Sequence, residues 1–129
     1  MVSNIRLNPA DDMDSAMAYL QKTIGDDKVE LTLLGGMNPS RISTTECEGW
    51  DKVASAVAST WKGCIVSPYL MVQCSDSRHY GRISDRVFRF SAMDLTAAER
   101  ATIHGHNEKV RIEAVGRTVE FYVRLMRNC

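Results

Sequence analysis

The sequence predicts an α/β fold. Apolar residues recur at helical spacing in three stretches, short alternating or continuous apolar runs lie between them, and glycines and prolines punctuate the joins. At 129 residues, 44% hydrophobic and 25% charged, the chain has the make-up of a globular protein with a core, which excludes a disordered segment.

"VSNIRL" reads as a short strand. After Pro9, the residues Met13, Ala16, Met17, Leu20 and Ile24 return every three or four positions, so a helix is expected from about Asp11 to Ile24, stopped by Gly25. "KVELTLL" reads as a second strand and completes a β-α-β unit. "GGMNPSRISTTECEG" follows, polar and aperiodic, a connection long enough to suggest a domain boundary. Trp50, Val53, Ala54, Val57 and Trp61 then line a helix that ends at Gly63. "CIVSPYLMV" is an apolar strand interrupted by Pro68, which implies an edge or irregular strand. A polar stretch, "QCSDSRHYGRISD", leads to the strand "RVFRF", a turn or short helix at "LTAAERATI", the loop "IHGHNE", and a last helix from about Arg111 to Arg127. On that helix Ile112, Val115, Val119, Tyr122 and Met126 share a face.

Net charge is zero with acids and bases interleaved, so no electrostatic drive toward nucleic acid or an anionic membrane exists. No apolar run approaches the ~20 residues that span a bilayer, and the start lacks a signal peptide's regions, so a cytoplasmic location is expected. Cys47, Cys64, Cys74 and Cys129 are too scattered for a disulfide framework or a zinc ribbon and read as free thiols. Cys74, in a polar stretch, would need His79 as a base to act as a nucleophile.

Two polar stretches carry chemistry. In "SDSRHY", Arg78 offers a planar fork for a carboxylate and Asp76 is placed to hold it; the plainer reading is a local pair capping a turn. In "IHGHNE", His104 and His106 flank a glycine that lets the backbone approach closely, but two histidines make no complete metal site, and a solvated or locally hydrogen-bonded loop accounts for them better.

The ordered set "NIRLNP", "PYLMV", "SDSRHY", "RVFRFS", "IHGHNE" and "VEFYVRLM" resembles the C-terminal portion of the di-zinc metallopeptidase family that includes carboxypeptidase S, aminoacylase and succinyl-diaminopimelate desuccinylase, the carboxypeptidase S branch above all. The resemblance implies a partial di-zinc peptidase fold, an α+β lid remnant plus an α/β catalytic-domain remnant. Residues 1–34 would be the end of the lid or dimerisation domain, 35–48 the connection, and 49–129 the last part of the catalytic domain. It also implies that His104 is a zinc ligand, that Arg78 holds the substrate's free carboxylate, and that Asn4 and Arg6 reach toward substrate from the lid. Asp76, Asn107 and Glu108 would support these residues from behind.

A two-metal hydrolase needs a bridging carboxylate and a base for the attacking water. The family supplies these from an H-x-D motif and an E-E pair, and this sequence contains neither. Of the intact family's two zinc ions, it offers at most one ligand. Gln73 and Cys74 also stand where the family has glycines, and Ala10 and Ala92 replace a glycine and a proline. The expectation is a fragment of a zinc hydrolase acting on peptide or N-acyl amino acid bonds next to a free carboxylate. It would be inactive alone, with no catalytic residue of its own, and its partner would be the missing N-terminal half or a full-length relative. The alternatives are a non-catalytic dimerisation module pairing through "VSNIRL" or the helix from Asp11, or a small metal-binding protein using His79, His104, His106 and Cys74.

Overall fold

The computed structural model describes residues 1–73 and 75–129, so the expectation for a Cys74 thiol lies outside the described residues. Among the described residues five helices follow one another: α1 (Met13–Ile24), α2 (Glu48–Thr60), α3 (Ser77–Tyr80), α4 (Ala97–Arg100) and α5 (Ile112–Arg127). The chain forms two compact units, one of residues 1–44 and 69–87, the other of 45–68 and 88–129. No helix among the described residues is long and apolar enough to cross a membrane.

The helical half of the expected α/β pattern is present, while the four expected strands are not formed among the described residues. A strand is stable only when its N–H and C=O groups pair along a ladder. "RVFRF" comes nearest: the Ser43 hydroxyl accepts from the Val87 amide at 3.0 Å and donates to its carbonyl at 2.8 Å, and the Thr44 amide donates to Asp85 O at 3.2 Å. Two of these three bonds go through the Ser43 side chain, and one backbone bond is not a ladder. "KVELTLL" opens with a turn, the Val29 amide donating to Asp26 O at 3.0 Å. Alternation in the sequence reports a face suited to a sheet but cannot supply the neighbouring strand.

In the first unit α1 forms where the spacing places it, because its ends are satisfied. The Asp12 carboxylate accepts from the Ser15 amide at 2.7 Å, the Ser15 hydroxyl accepts from the Asp12 amide at 3.0 Å, and Gly25 closes the helix at φ 61° with its amide on Gln21 O. Asn38 reaches back to accept from the Met13 amide at 2.9 Å, and Gly36 lies so close that a Cβ there would meet the Met13 sulfur at 2.8 Å. None of α1 is fully buried.

The second unit holds a core of Ala56, Val57, Ala92 and Phe121, with Val53, Trp61, Val66 and Leu125 packed around it. α2 and α5 pack together here. Phe121 meets Phe90 at 5.1 Å and Trp61 at 5.8 Å between ring centroids, in tilted arrangements that suit the ring quadrupoles. The Thr118 hydroxyl reaches Ala92 O, and Arg124 reaches Ser59 O across the two helices. The buried face of α5 is therefore Ala114, Thr118, Phe121 and Leu125. The stripe singled out by spacing, Ile112, Val115, Val119, Tyr122 and Met126, is exposed, Ile112 by 84% and Met126 by 66%. Both stripes have helical period, so periodicity alone does not choose between them.

Candidate functional site

The histidine loop is built in the second unit, on the sequence "TAAE". The Thr96 hydroxyl accepts from the Glu99 amide at 3.2 Å and the Glu99 carboxylate accepts from the Thr96 amide at 2.7 Å, a capping box that starts the single turn of α4. The Thr102 hydroxyl donates to Glu99 O at 2.7 Å, and the Gly105 amide donates to Thr102 O at 2.8 Å. A Cβ on Gly105 would sit 3.2 Å from that same oxygen, which explains the glycine. His104 and Asn107 on either side adopt left-handed φ of 63° and 61°. Asparagine and histidine enter this conformation more readily than most residues, but outside glycine it still costs energy that the surroundings must hold. Glu108 contributes by accepting from the His104 amide at 3.1 Å. The imidazoles of His104 and His106, and the side chains of Asn107 and Glu108, are exposed.

Glu99 anchors this loop. Besides Thr96, it accepts from the Arg111 amide at 2.9 Å and from Arg111 Nε at 3.0 Å, while Arg111 Nη2 donates to Asp94 O at 2.6 Å and Arg117 Nη2 lies 2.8 Å from the Asp94 carboxylate. The Thr96 amide, helped by the Thr96 hydroxyl and Arg111, holds the Glu99 carboxyl at about 2 instead of 4.5, against the opposing effect of burial. A carboxyl with a depressed folded pKa stabilises the fold above its unfolded value and loses that contribution as pH falls toward its folded one. Acid titration of the chain, followed by tryptophan fluorescence, is therefore expected to show loss of stability between about pH 4.5 and 2, and Glu99→Gln is expected to flatten that segment. A wild-type profile unchanged by Glu99→Gln would contradict it.

The other site residues lie in the first unit. Ser77–Tyr80 forms the one-turn helix α3, with Asp76 at its start accepting from the His79 amide at 3.0 Å through its carbonyl. Arg78 is half-buried, and its Nε lies 3.5 Å from His79 Nε2. Asn4 and Arg6 are exposed, and Arg6 Nη1 donates to Val72 O at 3.4 Å, which brings the start of the chain to the "PYLMV" segment. The structure thus gathers Asn4, Arg6, Asp76 and Arg78 in one unit and His104, Asn107 and Glu108 in the other. Among the described residues no three His, Cys, Asp or Glu side chains converge to hold a metal ion. The described donors do not by themselves fit a zinc centre.

The sequence reading did not single out Glu99, Arg111, Asp94 or Arg117. The T-x-x-E pattern of Thr96 and Glu99 was the signal available for the first of them; nothing in the spacing announces that Arg111 and Arg117 both close on the Asp94 carboxylate.

No family model matches the chain, and no solved structure matches it. Curated relatives do. An N-fatty-acyl-amino acid synthase/hydrolase of Xenopus tropicalis is 32% identical over 126 residues, 97% of this chain and 25% of the relative. A probable carboxypeptidase S-like protein of Dictyostelium discoideum is 26% identical over 126 residues, 97% of this chain and 24% of the relative. A second N-fatty-acyl-amino acid synthase/hydrolase, from Danio rerio, is 27% identical over 127 residues, again 97% of this chain and 25% of the relative. Over nearly its whole length, then, the chain is homologous to carboxypeptidase S-like proteins and N-fatty-acyl-amino acid synthase/hydrolases, and it spans about a quarter of the length of these relatives.

Proposed function

We propose that this chain is the C-terminal part of a zinc-dependent peptidase or N-acyl amino acid hydrolase, and that it is inactive as a lone chain. The observation that carries this reading is the likeness over 97% of the chain to proteins four times as long, two of them named as acting on N-fatty-acyl amino acids. In this reading residues 1–34 are a lid segment, 35–48 a connection and 49–129 part of a catalytic domain. His104 is one inherited zinc ligand, held by the loop that Glu108 and Asn107 shape. Arg78 receives the substrate carboxylate, with Asp76 beside it and Asn4 and Arg6 contributing from the lid. The partner is the missing N-terminal half or a full-length relative that carries the H-x-D and E-E motifs.

Two measurements test this. The chain alone, supplied with zinc and an N-fatty-acyl amino acid, is expected to give no hydrolysis above the blank; turnover by the lone chain would overturn the reading. Mixed with a chain carrying the missing motifs, encoded upstream of the Met1 codon or elsewhere in the same genome, it is expected to restore activity. His104→Ala is then expected to remove that activity, while Arg78→Lys raises KM by about tenfold or more with a smaller effect on kcat, because an ammonium cannot present the bidentate fork.

A further inference from the structure

We infer that Glu99 is the positioning residue for His104. Its carboxylate ties together the two ends of the 96–111 loop and so fixes the backbone conformation in which the histidine is presented. The inference rests on the reading of His104 as the inherited ligand.

Among the described residues Glu99 is the buried charged side chain, 6% exposed, and it lies outside the apolar cluster around Phe121. Its bonds are directed at the neck of the loop. One oxygen takes the Thr96 amide; the other takes the Arg111 amide and Nε, so a single carboxylate joins backbone positions fifteen residues apart. Arg111 is held in turn by the Asp94 carbonyl, and Arg117, in the second turn of α5, grips the Asp94 carboxylate. The neck is thereby fastened to a helix of the core.

Between the two ends the loop carries two left-handed residues that are not glycine. Such conformations persist only where the surroundings over-determine them. Apolar burial does not do this here, because Ile103 and Val110 are exposed. The hydrogen bond from the His104 amide to Glu108 is local to the loop and leaves its ends free, so the closure comes from Glu99. Charge-assisted bonds from amides and a guanidinium are the stronger class of hydrogen bond, suited to this task.

The test is NMR of the whole chain and its Glu99→Gln variant, in which an amide NH2 faces a backbone donor. Amide exchange is read at His104 and Gly105 and across α2 and α5, together with the His104 imidazole cross-peak at fixed pH. Exchange in the loop is expected to rise about tenfold or more and the imidazole signal to move, while α2 and α5 keep their protection. Unchanged loop exchange would overturn the inference. So would an equal loss across loop and helices, which marks a general staple without a positioning role. Should Glu99→Gln fail to fold, Arg111→Lys keeps the charge and the backbone bond but loses the fork, and the same pattern is expected at smaller amplitude. No metal or substrate enters this experiment, so its failure leaves the hydrolase reading standing, and failure to restore activity by mixing leaves the positioning role standing.

Discussion

Phe121→Ala is expected to abolish the cooperative thermal transition of the unit built on α2 and α5. Phe121 is 1% exposed and is the largest fully buried side chain among the described residues. Its ring is the common neighbour of Trp61, Phe90 and Tyr122, with centroids at 5.8, 5.1 and 5.1 Å, while the other members of the cluster, Ala56, Val57 and Ala92, are small. Truncating a buried phenylalanine costs about 3–5 kcal/mol through lost transfer energy and the cavity left behind. A complete domain commonly has about 5–15 kcal/mol in hand, so a unit with so few buried residues has little left after that loss. Circular dichroism and Trp fluorescence on heating provide the check. A melt within a few degrees of wild type would mean that this cluster is not what holds α2 to α5.

The legible part of the fold was the part whose forces are local. α1 begins at Asp12 and ends at Gly25 because the cap residues themselves satisfy the end groups, and that is written in the sequence. α4 was anticipated as a turn or short helix, and its Thr96 and Glu99 form the capping box that pattern promises. The strands were not recoverable in the same way. "VSNIRL", "KVELTLL" and "CIVSPYLMV" have compositions suited to strands, but a strand needs the edge of a neighbour, and pairing is a long-range matter.

The site divides along the same line. Gly105 was read as allowing close approach, and the 3.2 Å between its hypothetical Cβ and Thr102 O gives that reading a specific cause. His104, Asn107 and Glu108 do form one local structure, since the His104 amide is bound by Glu108 and both His104 and Asn107 are left-handed. The clamp through Glu99, Arg111, Asp94 and Arg117 was invisible because it joins residues up to 23 apart by side chains that usually sit in solvent. Arg78 shows the reverse limit: its residue type suits a carboxylate, but residue type alone does not say which group it meets.

The wild-type chain is expected to self-associate through the exposed stripe of α5, and Val119→Glu combined with Met126→Lys is expected to suppress that association. α5 has two apolar faces. Ala114, Thr118, Phe121 and Leu125 meet the core and α2, while Ile112, Val115, Val119, Tyr122 and Met126 run along another side and remain open to solvent. An amphipathic surface helix has one apolar stripe; a helix with two belongs between two layers. Among the described residues no second layer covers this stripe. Contiguous exposed apolar surface of this kind drives association, and a stripe repeating at heptad spacing offers itself readily to a second copy of the same helix. Exposed positions tolerate charge at a cost of about 0.5 kcal/mol or less, so the double variant is expected to keep its helical content. Sedimentation velocity over a range of concentrations separates the outcomes. Concentration-dependent oligomers for the wild type and a monomer for the variant would identify the stripe as the open face. A wild-type chain that stays monomeric throughout would mean that α5 tolerates its second stripe without cover.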